Sequence, residues 1–125
     1  MTKTLLLLAF LFLIAATASA QTPPPDVNNP TKIEWTASTD HATIDGYTLD
    51  IVSSTNVVIQ TLDLGKPTPD ANNLCTANLN VQPITFGAGY YVTLKARANN
   101  VFSTATVSQN KFNRVPGAPT KPVVK

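Results

Sequence analysis

The sequence predicts an all-β fold, a seven-stranded antiparallel β-sandwich, and three observations support this prediction. Apolar and polar residues alternate in short runs across residues 31–115, turn-forming residues separate the runs, and no window of this region shows sustained helical periodicity. Successive side chains of a strand point to opposite faces, so each run offers one apolar face. Because an isolated hairpin is unstable in water, we expect two facing sheets to bury these apolar faces together.

Residues 1–20 are typical of a cleavable export signal. Lys3 supplies the positive start, residues 5–14 form an apolar run, and Ala18-Ser19-Ala20 ends the segment with small residues that a signal peptidase accepts. A transmembrane anchor is the alternative, but the apolar stretch only just approaches the ~20 residues of a spanning helix, and no cluster of Lys or Arg follows it. We therefore expect a secreted or periplasmic protein that begins at Gln21 and has no membrane partner after cleavage.

The region after the leader is long enough for one domain with one core. Of the nine Lys and Arg residues in the chain, Lys3 belongs to the leader, which leaves eight against seven Asp and Glu, with the two signs interspersed. This balance gives no electrostatic reason to expect nucleic acid or a membrane surface as a partner. The single cysteine, Cys75, excludes an intramolecular disulfide, so burial and strand pairing must stabilise the fold.

Proline-rich segments flank the predicted domain at residues 31–115. Residues 21–30 form an arm that includes a short first strand near Asp26 and Val27, and residues 116–125 form a tail. Both segments are expected to be extended spacers with nothing to bury. Seven of the ten prolines of the chain lie in them: Pro23, Pro24, Pro25, Pro30, Pro116, Pro119 and Pro122.

The remaining strands follow from the period-two pattern. Residues 57–64 alternate less cleanly than the other runs, which indicates a weaker or edge strand and the place to expect pairing between copies. The apolar positions of the other strands are, in order, Ile33, Trp35 and Ala37; Tyr47, Leu49 and Ile51; Cys75, Ala77, Leu79 and Val81; Tyr90, Val92, Leu94, Ala96 and Ala98; and Ala105 and Val107, in a last strand that runs towards Phe112.

Four of these runs resemble the fibronectin type III family. Residues 31–35 resemble its second strand, in which a tryptophan anchors the core, and residues 46–51 are similar to its third strand, built around an inward tyrosine. Residues 81–85 and 90–96 resemble the family's L-x-P-x-T and Y-x-V-x-V-x-A signatures, which include the tyrosine that closes the corner into the sixth strand. Other immunoglobulin-like sandwiches remain the alternative fold.

The resemblance implies a fold more than a function, because this scaffold hosts adhesion, spacing and receptor roles without one shared site. It also implies that loops at the ends of the sandwich often carry binding. The residues that we expect to anchor the core are Trp35, Tyr47, Leu79, Tyr90 and Leu94.

The residues that could carry chemistry are few. His41 lies near Asp40 and Asp45, but one histidine with two carboxylates is a poor zinc site and has too few oxygens for calcium, so we interpret it as part of a solvated loop. Cys75 shares a strand face with apolar residues, which favours a small buried hydrophobic side chain. A thiol that links two chains is the next alternative, and a catalytic nucleophile ranks last. No phosphate loop, hydrolase elbow or zinc motif is present. We therefore expect no enzyme activity, no cofactor and no metal.

Candidate contact residues lie on the sixth strand and after it. Tyr91 has the opposite parity to Tyr90 and should face outward, and Phe102 follows Asn99 and Asn100 in a predicted loop before the last strand. A candidate contact patch consists of Tyr91, Asn99, Asn100 and Phe102. The alternative is that Phe102 packs under its own loop and that Tyr91 is an isolated surface aromatic.

Three functions are consistent with these observations. The first is a secreted, non-catalytic binding or spacer module with a protein or glycan ligand that the sequence does not identify. The second is a structural or assembly subunit of an extracellular or virion surface structure, in which strand edges pair and the chain self-associates. An enzyme that uses Cys75 or His41 ranks last.

Overall fold

The computed structural model describes residues 22–125, so the predicted leader lies outside the described residues. This part of the chain holds nine β-strands and no helix, which confirms the all-β prediction. The strands are β1 (Val27–Asn28), β2 (Lys32–Thr36), β3 (Gly46–Val52), β4 (Val58–Gly65), β5 (Leu74–Asn78), β6 (Gly87–Ala98), β7 (Val101–Phe102), β8 (Thr106–Val107) and β9 (Phe112–Arg114).

The larger sheet has seven strands in the order β1-β9-β6-β3-β4, with β7 and β8 also paired to β6. The β1–β9 pair is parallel, with Val27 beside Phe112, so the sheet is mixed and the antiparallel prediction is wrong for this pair. Two backbone hydrogen bonds frame it, from the Val27 N–H to the Lys111 carbonyl and from the Asn29 N–H to the Asn113 carbonyl. Asn29 then adopts a left-handed conformation (φ 47°), in which the chain leaves this sheet for the other one.

The smaller sheet consists of β2 and β5, which pair antiparallel with Ile33 beside Ala77 and Trp35 beside Cys75. Among residues 22–125, no strand pairs with the other edge of β2. This free edge determines the shape of the candidate site.

The apolar core lies between the two sheets in two clusters of buried side chains. One is centred on Leu49, Ile51 and Leu79, and the other on Tyr47 and Cys75; Leu64 and Leu94 pack against both. Tyr47, Leu79 and Tyr90 are buried. Trp35 and Leu94 are only partly buried, because both border an open groove.

The C-terminal third of the fold differs from the predicted loop and single last strand. Asn99 and Asn100 both have positive φ angles, 49° and 63°, and they form the two-residue turn of a hairpin that brings Val101 beside Ala98. Val101 and Phe102 therefore belong to a strand, not to a loop. The chain after them breaks into β8 and β9, and Val107 is 64% exposed instead of facing the core.

Two further boundaries differ in detail. β6 begins at Gly87, three positions before Tyr90, the first apolar position of the predicted run, and a register shift between Gly87 and Tyr90 marks the irregularity. β4 pairs only with β3 among the described strands, which is the edge position that its irregular alternation indicated.

Candidate functional site

Three of the four predicted contact residues lie together at the β6–β7 hairpin. Phe102 is 51% exposed, and the Lys95 ammonium lies 5.9 Å from the centre of its ring, close enough for a cation–π contact. The Asn99 N–H donates a hydrogen bond of 2.8 Å to the Asp45 carboxylate, and Asn100 occupies the second turn position. The hairpin is therefore held by local contacts, and it presents one aromatic ring to solvent.

Tyr91 lies far from this hairpin. Arg97, the partner of Phe102, lies six positions further along β6, and this corresponds to ~20 Å of extended strand. The Tyr91 hydroxyl donates a hydrogen bond of 2.9 Å to the Asn56 side chain in the β3–β4 turn. The predicted patch of four residues is thus two separate places on the surface.

His41 is held by Tyr47 and is not a freely solvated side chain. Its Nδ1 lies 2.8 Å from the Tyr47 hydroxyl, and the two rings stack with centres 5.8 Å apart. The same hydroxyl accepts the Ser38 N–H at 2.9 Å, so its own proton is free to go to Nδ1. The imidazole therefore packs the β2–β3 loop against Tyr47 of β3. Within residues 22–125, no group of three or more His, Cys, Asp or Glu side chains is placed to hold a metal ion.

Cys75 is a fully buried free thiol in the second core cluster. Its Sγ lies 3.6 Å from the Pro67 carbonyl oxygen. Burial, with a smaller contribution from Asp70, raises the pKa of the thiol, so the thiol stays protonated and unreactive near neutral pH. Cys75 therefore belongs to the core, and it cannot bond a second chain without opening of the fold.

A groove of about 880 Å³ lies between β2 and the stretch from β8 to β9. We call it the β2 groove. It is lined by the apolar side chains of Ile33, Trp35, Leu79, Leu94 and Phe112, together with polar groups of the two flanking strands. Leu79 and Phe112 are buried core residues, so the groove reaches down to the core itself.

One edge of the β2 groove is the unpaired backbone of β2. The Leu79 N–H donates to the Thr31 carbonyl, and the Ala37 N–H donates to the Asn73 carbonyl, so these odd-numbered residues direct their polar groups towards β5. Hydrogen-bonding direction alternates along a strand. Lys32, Glu34 and Thr36 therefore direct their N–H and C=O groups away from β5 and into the groove.

Side-chain direction along β2 follows the same alternation. Lys32, Glu34 and Thr36 are exposed on the outer face, whereas Ile33 and Trp35 are half-buried on the inner face. The Trp35 ring packs edge-on against Tyr47, with the ring centres 5.2 Å apart. In the described part of the chain, the buried Trp35 Nε1–H has no hydrogen-bond partner. The inner face of β2 is thus incompletely packed on the side where a further strand would lie.

The sequence could not indicate this groove, because it exists only through the pairing of β1 with β9. Had β1 paired with β2 instead, as the next strand of the smaller sheet, it would have occupied the edge of β2 that borders the groove. The one available signal was the composition of the arm, in which three consecutive prolines lack the N–H groups that a strand beside β2 would use.

The described residues contain no helix that is long and apolar enough to cross a membrane. Comparison of the chain with protein-family models, with curated proteins and with solved structures finds no match in any of the three.

Proposed function

We propose that this chain is a secreted, non-catalytic binding module that takes an extended polypeptide segment into the β2 groove by strand addition. The observation that carries the proposal is the free edge of β2 beside a groove lined by core side chains. Exposed strand edges are templates for pairing with another chain. Secretion rests on the predicted leader at residues 1–20.

The groove offers both parts of strand recognition. The N–H and C=O groups of Lys32, Glu34 and Thr36 would form the ladder with the added strand, which supplies affinity without regard to sequence. Side chains at alternate positions of that strand would point inward to Ile33 and Trp35, which supplies selectivity for apolar residues at a spacing of two. The expected ligand is therefore an extended segment with period-two apolar side chains.

We also propose that the fold is a variant of the fibronectin type III sandwich. The Tyr90 hydroxyl donates a hydrogen bond of 2.9 Å to the Thr85 carbonyl, five residues upstream and just before the start of β6. This contact is typical of the tyrosine corner of immunoglobulin-like sandwiches. The variant feature is the first strand, which joins the larger sheet beside β9.

The test uses a short synthetic peptide in which valine alternates with threonine, with a lysine at each end for solubility. Titration into the protein, followed by backbone NMR shifts, should move the signals of β2 and of residues 106–112. Methylating the peptide amides at the threonine positions, which face β2, should abolish binding, because these N–H groups form the ladder. Methylating the amides at the valine positions should be tolerated.

A protein variant supplies the matched control. Glu34→Pro removes an N–H that faces the groove and takes no part in pairing with β5, so the fold should persist while peptide binding is lost. Shifts that map to another surface, or binding that survives methylation at the threonine amides, would contradict the proposal.

A further inference from the structure

We infer that the segment bound in the β2 groove is the C-terminal tail, residues 116–125, of a second copy of this chain. This inference rests on the proposed function, because it names the occupant of the same groove. It makes the chain a self-assembling subunit in which each copy both donates a tail and accepts one.

The tail is available for such an exchange. All ten of its residues are exposed, and none of them takes part in a hydrogen bond within the part of the chain that the structure describes. Val123 and Val124 are 79% and 97% exposed, although they are apolar neighbours. Seven residues, 116–122, separate Arg114 and Val115 from these valines, and this linker spans ~23 Å when extended. The linker is therefore long enough to reach a neighbouring copy.

The prolines of the tail fit one edge of an added strand. If Val123 and Lys125 direct their N–H groups to β2, the nitrogen of Pro122 points away from the ladder, so its missing N–H costs nothing. In the same arrangement Pro122 and Val124 point inward to the apolar lining, and Val123 and Lys125 point outward. The tail thus supplies apolar side chains at the alternate positions that the groove requires.

Charge selects the register. When the tail runs antiparallel to β2 with Lys125 opposite Glu34, Val123 lies opposite Thr36 and Val124 lies opposite Trp35. Shifting the tail by two residues puts Val123 opposite Glu34 and places Lys125 opposite Lys32, and such a pair of like charges is unfavourable in a ladder.

The path of the chain favours exchange between copies over docking of a tail in its own groove. β9 ends at Arg114, and the Arg114 guanidinium donates hydrogen bonds to the Val81 and Gln82 carbonyls. These two residues lie close along the chain to Leu79, whose N–H bonds Thr31 just before the start of β2. The tail therefore leaves the molecule near the start of β2, and direct entry into its own groove would make it run parallel to β2. The antiparallel, charge-matched register is reached from a neighbouring copy.

The test mixes two variants that each lack one half of the contact. The chain starting at Gln21 should self-associate with increasing concentration in sedimentation velocity. A chain that ends at Val115 and a full tail-bearing chain with Glu34→Pro should each stay monomeric alone. Mixed together, they should form a one-to-one complex, because one keeps the groove and the other keeps the tail.

A charge-reversal pair tests the register without a proline. Glu34→Lys should weaken self-association at least tenfold, and Lys125→Glu in the same chain should restore it. Circular dichroism must show the same fold for each variant.

Three outcomes would overturn the inference. Self-association that persists after removal of the tail would assign it to another edge, such as β4. A monomeric chain that still binds the valine–threonine peptide in the groove would exclude the tail as occupant and leave the proposed function standing. Loss of peptide binding as well would refute both.

Discussion

At the scale of single residues, the Tyr47 hydroxyl organises the connection between β2 and β3. It accepts the Ser38 N–H and lies within hydrogen-bond distance of the His41 imidazole, while the ring is buried in the core and packs against Trp35. One side chain therefore holds two points of an irregular loop, Ser38 and His41, to the strand that follows it. Tyr91 has a hydroxyl of the same kind, but its partner Asn56 lies in an exposed turn.

Tyr47→Phe should lower the free energy of unfolding by about 1–3 kcal/mol, because it leaves the Ser38 N–H and the His41 Nδ1 without their partner in a partly buried place. Tyr91→Phe removes an exposed hydrogen bond and should change the free energy of unfolding by less than about 0.5 kcal/mol. Urea denaturation followed by Trp35 fluorescence measures both. Equal effects of the two variants would show that the loop does not depend on this hydroxyl.

At the scale of strands, the alternation in the sequence predicted the inward face of the central strands well. Tyr47, Leu49 and Ile51 are all buried on β3, as a period of two requires when one face of a strand meets the core. The pattern was less informative near Val101 and Val107, because strands of two residues carry no periodicity of their own. Their positions depend on the Asn99-Asn100 turn and on the pairing with β6.

The pairing of β1 could not be predicted from the sequence, because it depends on contacts across 85 residues of chain, such as those from Asn110 to Pro25 and from Lys111 to Asp26. No local pattern reports which sheet a two-residue strand will join. The β2 groove depends on the pairing of β1 with β9, so the candidate site could not be predicted from the sequence for the same reason. The predicted contact residues, by contrast, were chosen from strand parity and from an expected loop position, and both of these can be read from the sequence.

Arg114 fastens the end of β9 to two other parts of the fold. Its guanidinium is buried and has no acidic partner among residues 22–125. It donates hydrogen bonds to the Val81 carbonyl, to Gln82 and to the Asn29 side chain, and it lies 4.9 Å from the centre of the Phe86 ring. These bonds join β9 to the corner before β6 and to the residue that follows β1. The hydrogen bonds of Arg114 therefore stabilise the C-terminal end of the parallel β1–β9 pair.

Arg114→Met should destabilise the protein by about 3 kcal/mol, because one buried carbonyl and several partly buried acceptors lose a charged donor at once. Arg97→Met is the matched control, since Arg97 makes only a surface ion pair of 3.6 Å with Asp63, and it should cost less than about 1 kcal/mol. Thermal denaturation compares the two variants. A similar loss of stability in both would mean that the buried network at Arg114 contributes nothing specific.

At the scale of the whole molecule, the two sheets are unequal, and this inequality creates the candidate site. The larger sheet has seven strands and the smaller has two, so the smaller sheet does not cover the full width of the larger one. The uncovered side is the β2 groove, where the half-buried Leu94 borders open space beside a free strand edge. Strand addition there would extend the smaller sheet to three strands and complete the cover of the core.

The stability of the complete fold should depend on pH through Cys75. Burial raises the pKa of this thiol above its ordinary value, so the folded state holds the proton at pH values where the unfolded chain has released it. The resulting stabilisation is fully present below the thiol pKa of the unfolded chain, about 8.5, and is lost as the pH rises towards the pKa of the folded state. Urea denaturation at several pH values between 7 and 10 should therefore show a decline in the free energy of unfolding that is shallower in Cys75→Ala, even though the variant is less stable at pH 7.

The comparison of slopes removes the contribution of tyrosines and lysines that both proteins share. Parallel pH profiles in the two proteins would mean that the thiol titrates equally in both states, and hence that the centre of the core is open to water.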